Sequence, residues 1–423
     1  MQNPILPIAF LRRSLIDKLA RSSGWLRRAH AGRPLTPAVF VGALVASVAT
    51  GARSLRELAV EVGLLSGGTI SKQGLSKRID KRAVEFLKLV AGEALRRAAC
   101  KVPELAGQIG DVRRVLVGDS STLALHASLA GHFPGATNHT DKTVAQARLQ
   151  LTFDLLGGRW LHAKIDPYRR NDKSAAYDII RAVVRAGDLV VRDLGYASID
   201  SFRAIAAKGA YFLSRLSPAA GVFEPGGERL DTLELARARA PRPGDTFTAA
   251  VELGAAARYA CRLVVIRVPQ KVGDERRRRL KDDARRRGCK PHSKGYLALQ
   301  DWSVFVTNLG ADQASDGQLR DLYALRWRIE NIFKLSKSQS DLLKVAGHRT
   351  NRHHAEALVW AWLLMMVALS TQGVFRLCGP GGADIVETSI FKSVDRVIRW
   401  LALGIELAGA ADIPTLLRLS LIH

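Results

Sequence analysis

Between residues 112 and 216 short apolar runs alternate with amphipathic helical stretches, and their order limits the folds open to this chain. Val112 to Leu125 is strand-like, with Val115-Leu116-Val117 leading into Gly118-Asp119-Ser120-Ser121-Thr122. Ala147 to Phe153 and Trp160 to Ile165 are two further strands, joined by a tight Gly157-Gly158 turn that reads as a hairpin. A helix is predicted over Ser174 to Ala186, then an apolar strand from Asp188 to Arg192 that ends at Asp193-Leu194-Gly195-Tyr196. Helix Ser198 to Lys208 and strand Tyr211 to Leu216 complete the series. Three strands, helix, strand, helix, strand predicts an α/β chain whose mixed sheet is flanked by helices.

The flanking segments differ in character. Residues 1 to about 110 read as helical: Thr36-Pro37 places a capping hydroxyl before a helix-opening proline, and Ser54-Leu55-Arg56-Glu57 is a capping box. Gly63 is expected to stop that second helix. After a Gly-containing turn, Ser71 to Arg78 begins a basic helix, with Lys72, Gln73, Lys77 and Arg78 outermost. This is either a helix-turn-helix that faces a DNA groove or a helical hairpin with a solvated basic face. Residues 217–300 are Gly/Pro-rich and strand-like (Thr246 to Leu253, Tyr259 to Val268), with a basic block at Arg276 to Arg279 and Arg285 to Arg287. The block either touches phosphates without reading sequence or is a solvated charged helix. Core character returns at strand Trp302 to Thr307, a long helix follows from Asp316 to Ser338, and residues 346–423 are mostly helical. The order over 111–216 is the layout of a mixed sheet flanked by helices, as in ribonuclease-H-like folds, with 217–300 strand-rich and 301–345 returning to core character.

The charge balance narrows the partners. The chain carries 64 Lys and Arg against 39 Asp and Glu, a formal +25 over 423 residues, so it should attract a polyanion. Nucleic acid is the first candidate; an anionic membrane surface or simple solubility is the alternative. The segment Met1 to Leu19 has no apolar run followed by a small-residue cleavage site, and the longest apolar stretch, Ala357 to Ser370, is too short to span a bilayer. No membrane partner is expected. Four scattered cysteines (Cys100, Cys261, Cys289, Cys378) lack metal-ligand spacing and suit a reducing cytoplasm.

Chemistry concentrates on the helix after Asp316. At about 100° per residue, Tyr323, Arg326, Glu330 and Lys337 fall within roughly a 60° sector of one face. Leu322, Leu325, Ile329, Ile332 and Phe333 occupy the neighbouring face and would pack inward. Taken alone, a carboxylate among cations reads as well as an ion-pair stripe as it does as a reactive site.

The spacing Tyr-x2-Arg-x3-Glu-x6-Lys, set in Arg326-Trp327-Arg328-Ile329-Glu330, resembles the signature of DDE transposases of the insertion-sequence-4 family. The resemblance covers the chain from about residue 35 onward. It implies a ribonuclease-H-like catalytic domain with a β-rich insertion between the second Asp and the Glu. Asp119, Asp193 and Glu330 would be the catalytic carboxylates and would bind two Mg²⁺ or Mn²⁺ ions. Asp119 follows an apolar strand and precedes small hydroxyl residues, as that family has it. Asp193 stands in Asp-Leu-Gly-Tyr, where Leu194 replaces the usual basic residue. Asp111, Asp154 and Asp188 lie before a strand, at a hairpin turn and at the wrong end of a strand, and are expected to be structural.

By the same resemblance, Tyr323, Arg326 and Lys337 would contact the transposon end, and Trp302 would stack on a base flipped out near the cleavage site. A tryptophan at a strand start is as readily core. The implied partners are double-stranded DNA, both terminal inverted repeats and target, and a second copy of the chain in a synaptic complex. The implied location is the bacterial cytoplasm, at the nucleoid. Two rival readings remain: a ribonuclease-H-like DNA nuclease, which would not need the full Tyr/Arg/Glu/Lys spacing, and an inactive or domesticated sequence-specific DNA-binding protein, which would be expected to have lost a carboxylate.

Overall fold

The computed structural model describes residues 11–27, 33–50, 54–98, 109, 111–136, 144–170, 172–193, 198–217, 220–324, 326 and 348–369. In chain order the elements are α1 (Arg13–Ser22), α2 (Pro37–Thr50), α3 (Leu55–Ser66), α4 (Lys72–Arg78), α5 (Lys81–Arg97), β1 (Arg114–Leu125), β2 (Ala145–Asp154) and β3 (Arg159–Pro167). There follow α6 (Asp172–Val183), β4 (Asp188–Arg192), α7 (Ile199–Ala206), β5 (Tyr211–Arg215), β6 (Val222–Phe223), β7 (Arg229–Leu230), α8 (Thr232–Arg239), β8 (Thr246–Leu253) and β9 (Tyr259–Arg267). Then come α9 (Gln270–Arg286), α10 (Lys294–Ala298), β10 (Trp302–Thr307), a helix α11 whose described part is 316–324 with 326, and α12 (Arg352–Leu369). The order of three strands, helix, strand, helix, strand predicted over 112–216 is the order observed. The protein is thus a mixed α/β chain with a large mixed sheet.

The chain divides into two compact units, 1–104 with 119–170 and 328–423, and 105–118 with 171–327. In the first, α12 packs on α5 and α2, and α5 packs on β3. Trp25 stacks on Phe40 and Phe86, with ring centroids 4.7 and 5.3 Å away, and both phenylalanines are fully buried. Trp360, Trp362, Met365 and Met366 are buried along α12, as their apolar run predicted. His353 and His354 lie at its start, where both backbone N–H groups donate to Asn351 Oδ1. The β2–β3 hairpin turns at Gly158, whose φ of +60° suits a residue without Cβ.

The capping box is present in full: Glu57 N donates to Ser54 Oγ and Ser54 N donates to Glu57 Oε2. The helix end differs from expectation. Gly63 lies inside α3, and the helix runs on to Gly67, which takes φ +71° and donates its N–H to the Gly63 carbonyl. A glycine inside a helix costs only about 1 kcal/mol, so Gly63 is tolerated there, and the left-handed closing position that favours glycine strongly falls at Gly67.

In the second unit the sheet runs from β1 through β4 and β5 to β10, β9, β8, β6 and β7. β1, β4 and β5 are parallel, with Val117 opposite Val191 and Val191 opposite Leu213. β10 is antiparallel to both β5 and β9. β4 and β10 are buried along their whole length, which is why both read as near-continuous apolar runs. Residues 217–300 hold strands and also helices α8, α9 and α10; the basic block lies on α9. Among the described residues no helix is long and apolar enough to cross a membrane.

Candidate active site

Asp119 lies inside its strand and Asp193 just beyond its own, at the same offset from the paired part of each. The last registered pair of β1 and β4 is Val117 with Val191, and each aspartate comes two residues later in its own segment. Asp119 lies within β1 in the first unit and is partly exposed; its Oδ1 accepts from Ser120 N at 2.8 Å. Next to it Ser121 is buried.

Asp193 directly follows β4 in the second unit and is also partly exposed. Its Oδ1 accepts from the Tyr323 hydroxyl at 3.2 Å, across 130 residues of chain. Among the described residues no cation is ion-paired with Asp193. Asp188, at the other end of the same strand, is the opposite case. It is fully buried and accepts from Arg114 Nε at 2.8 Å, Arg114 Nη2 at 2.6 Å and Arg185 N at 2.7 Å. Asp154 is buried and accepts from Leu156 N in the hairpin turn. The aspartate that opens β4 is therefore ion-paired in the core, and the one that follows the strand accepts from a neutral donor.

The tyrosine is positioned by packing. Its ring lies 4.9 Å from Phe305 of β10, and the Arg326 guanidinium sits over its other surroundings at 5.5 Å from the ring centroid. Burial first, and the Asp193 charge second, push the Tyr323 phenol well above its usual range, with Arg326 and Arg215 opposing. The phenol is thus a fixed hydrogen-bond donor.

Two cations that the sequence did not single out by role join this group. Arg215 ends β5 opposite Phe305, the ring that supports Tyr323. Arg276 leaves the basic block and turns inward. It donates to the carbonyls of Gln300 and Trp302 at 3.3 and 3.2 Å and to Ser303 Oγ at 3.0 Å. Burial, reinforced by the Arg215 charge, lowers the Arg276 guanidinium to about 10. The sequence signal for Arg215 was its place near the end of the strand read over Tyr211 to Leu216; the structure sets that strand beside β4.

Trp302 is placed otherwise than its suggested base-stacking role requires. It is 5% exposed, its Nε1 donates to the Ala240 carbonyl at 2.8 Å, and the Arg267 guanidinium covers its ring at 4.2 Å. As placed it is a core residue with no face open to a base. Lys72, Gln73 and Lys77 are exposed on α4 and Arg78 is half-buried. Glu330, Lys337, Trp327 and Leu194 lie outside the described residues. Among the described residues no three His, Cys, Asp or Glu side chains are gathered as a metal site.

Comparison with known proteins adds the family. The chain resembles the transposase for insertion sequence element IS231D of Bacillus thuringiensis subsp. finitimus, at 29% identity over 77% of this chain and 70% of that protein. It resembles the IS231B transposase of Bacillus thuringiensis subsp. berliner at 28%, with the same coverage. The IS1151 transposase of Clostridium perfringens is 24% identical over 76% of this chain and 70% of its own length. A solved piggyBac transposase synaptic complex with hairpin DNA overlaps this chain at a TM-score of 0.45 and 10% identity, covering 100% of this chain and 85% of that one, which is too slight to argue from. The family described as "Transposase DDE domain" matches residues 110–366, more than half of the chain. The protein therefore belongs to the DDE-domain transposases of insertion-sequence type, enzymes that act on DNA.

Proposed function

We propose that Asp119, Asp193 and Glu330 form the catalytic carboxylate cluster of an insertion-sequence-4-type transposase with a ribonuclease-H-like catalytic domain. The enzyme would cut at transposon ends and join the freed 3′-OH strand to target DNA. The observation that carries the reading is the Tyr323–Asp193 hydrogen bond, which ties the signature helix to the end of the second aspartate strand. Parallel β1 and β4, with an aspartate two residues beyond their last registered pair in each, support the same reading.

The residues fit a pair of hard divalent cations. The donors are carboxylate oxygens, and Asp193 accepts from a phenol, unlike Asp188, which is ion-paired with Arg114. When bound, Mg²⁺ or Mn²⁺ would make a hydroxyl group nucleophilic near neutral pH and offset charge on the leaving oxygen. Tyr323 orients Asp193. Arg215, Arg276 and Arg326 would draw a phosphodiester toward that carboxylate, and Tyr323, Arg326 and Lys337 would contact the transposon-end backbone.

In this reading residues 1–110 form a helical DNA-binding domain in which Lys72, Gln73, Lys77 and Arg78 face DNA. Residues 111–216 and 301–345 form the catalytic domain, 217–300 the insertion, and 346–423 a helical C-terminal region. Two copies would pair the two ends, in the bacterial cytoplasm at the nucleoid. The test is Mg²⁺-dependent cleavage of duplexes carrying the inverted repeats that flank the gene. Wild type should cut and Glu330→Gln should not; equal cleavage by both removes Glu330, and with it this mechanism.

A further inference from the structure

Many of the chain's cations are matched by carboxylates. On α9, Arg277 pairs with Asp274 and Asp301, Arg279 with Glu275, and Arg286 and Arg287 with Asp283. Arg96 and Arg97 on α5 share Glu93. One place in the first unit differs. Arg27, Arg33, Lys77, Arg78 and Arg82 line a single concavity of about 400 Å³ in which Asp80 is the only acid. Among the described residues none of these five cations forms an ion pair. Asp80 is engaged elsewhere: its Oδ1 accepts from Arg82 N at 2.9 Å and Ala83 N at 3.0 Å and so caps α5.

The concavity has a fixed floor. Trp25 also lines it, is buried, and stacks on Phe40 and Phe86. Its Nε1 donates to the Arg78 carbonyl at 2.9 Å, and the Arg78 guanidinium lies 5.9 Å from its ring centroid. Cations from three segments, the stretch after α1, the end of α4 and the first turn of α5, thus converge on a rigid aromatic base. Like charges gathered in this way repel, and an anion with several oxygens at more than one point relieves the repulsion.

We propose that this concavity is a phosphate-backbone clamp that holds successive phosphodiester groups of duplex DNA without reading bases. Five cations outnumber what one free phosphate can satisfy, whereas consecutive phosphates along a strand present a row of acceptors. The inference rests on the DNA reading above. It adds Arg27, Arg33 and Arg82 to the contact set and gives Lys77 and Arg78 a backbone role.

The test measures equilibrium binding of the full-length protein to a short duplex of arbitrary sequence over a series of salt concentrations. Arg33→Ala/Arg82→Ala is compared with Arg96→Ala/Arg97→Ala, which removes equal charge from the ion-paired end of α5. The clamp variant should lower the slope of log K against log salt by about 0.9 per lost phosphate contact, hence about 1.8, and the control should leave it unchanged. Arg33 and Arg82 are exposed, so both variants should melt like wild type. Wild type with no salt-dependent binding would overturn the DNA reading and the clamp together. Wild type that binds, with a clamp variant of unaltered slope or a control of equal loss, would overturn the clamp alone. A second readout is protection of Arg27, Arg33 and Arg82 from an arginine-specific dicarbonyl, located by mass spectrometry. Duplex should protect them, and equal protection by inorganic phosphate at the same phosphate concentration would overturn the assignment to a DNA backbone.

Discussion

Replacing Tyr323 with phenylalanine removes one oxygen and leaves the rest of its packing in place. The ring still meets Phe305, 4.9 Å away, and still lies near the Arg326 guanidinium. What is lost is the donation to Asp193 Oδ1 at 3.2 Å. A hydrogen bond to a charged acceptor contributes about 1.5–3 kcal/mol, and this one is at the long end for an O–H donor, so about 1.5 kcal/mol applies. If that bond holds Asp193 in its working orientation, the single-turnover rate of Mg²⁺-dependent end cleavage, measured at saturating DNA, should fall about tenfold. A wild-type rate would refute the positioning argument. A loss as large as that of Asp193→Asn would refute it in the other direction, since an orienting residue should matter less than the carboxylate it orients.

The pH dependence gives the same experiment a second edge. The folded phenol is raised above its unfolded value of about 10, so its proton is fully retained below that value and its contribution is lost only as pH rises above it. The rate advantage of Tyr323 over phenylalanine should therefore be constant between about pH 7 and 9. An advantage that faded across that window would mean the phenol ionises there.

The other predictions concern the scaffold. Trp302→Phe removes the donation to the Ala240 carbonyl and leaves a buried acceptor unmet, so urea unfolding should show a loss of about 2 kcal/mol, with DNA affinity unchanged. A loss of DNA affinity without a loss of stability would return Trp302 to the substrate. Asp188→Ala removes the buried carboxylate that pairs with Arg114, which keeps its donation to the Val183 carbonyl, and should cost about 3 kcal/mol by the same measurement; a loss below 1 kcal/mol, the range of an exposed pair, would show that the pair is solvated.

The element series over 112–216 was legible because strand and helix periods are local: each run declares its own conformation through two to four neighbours. The Ser54–Glu57 box was legible for the same reason, since both its bonds span three residues. The end of that helix was not: Gly63 read as its stop, and the left-handed backbone falls at Gly67, where α3 meets the following turn.

The candidate site divides along the same line. Residue spacing alone put Tyr323 and Arg326 on one helix face, and strand position alone put Asp119 and Asp193 at comparable places in their segments. Tertiary structure decided that Tyr323 reaches Asp193, that Arg276 leaves its basic block for the carbonyls at the start of β10, and that Trp302 is core. It also decided that Arg27, Arg33, Lys77, Arg78 and Arg82 share one concavity. Each of these rests on contacts between segments distant in the chain, and burial and charge are properties of that assembled surface. No window of sequence carries them.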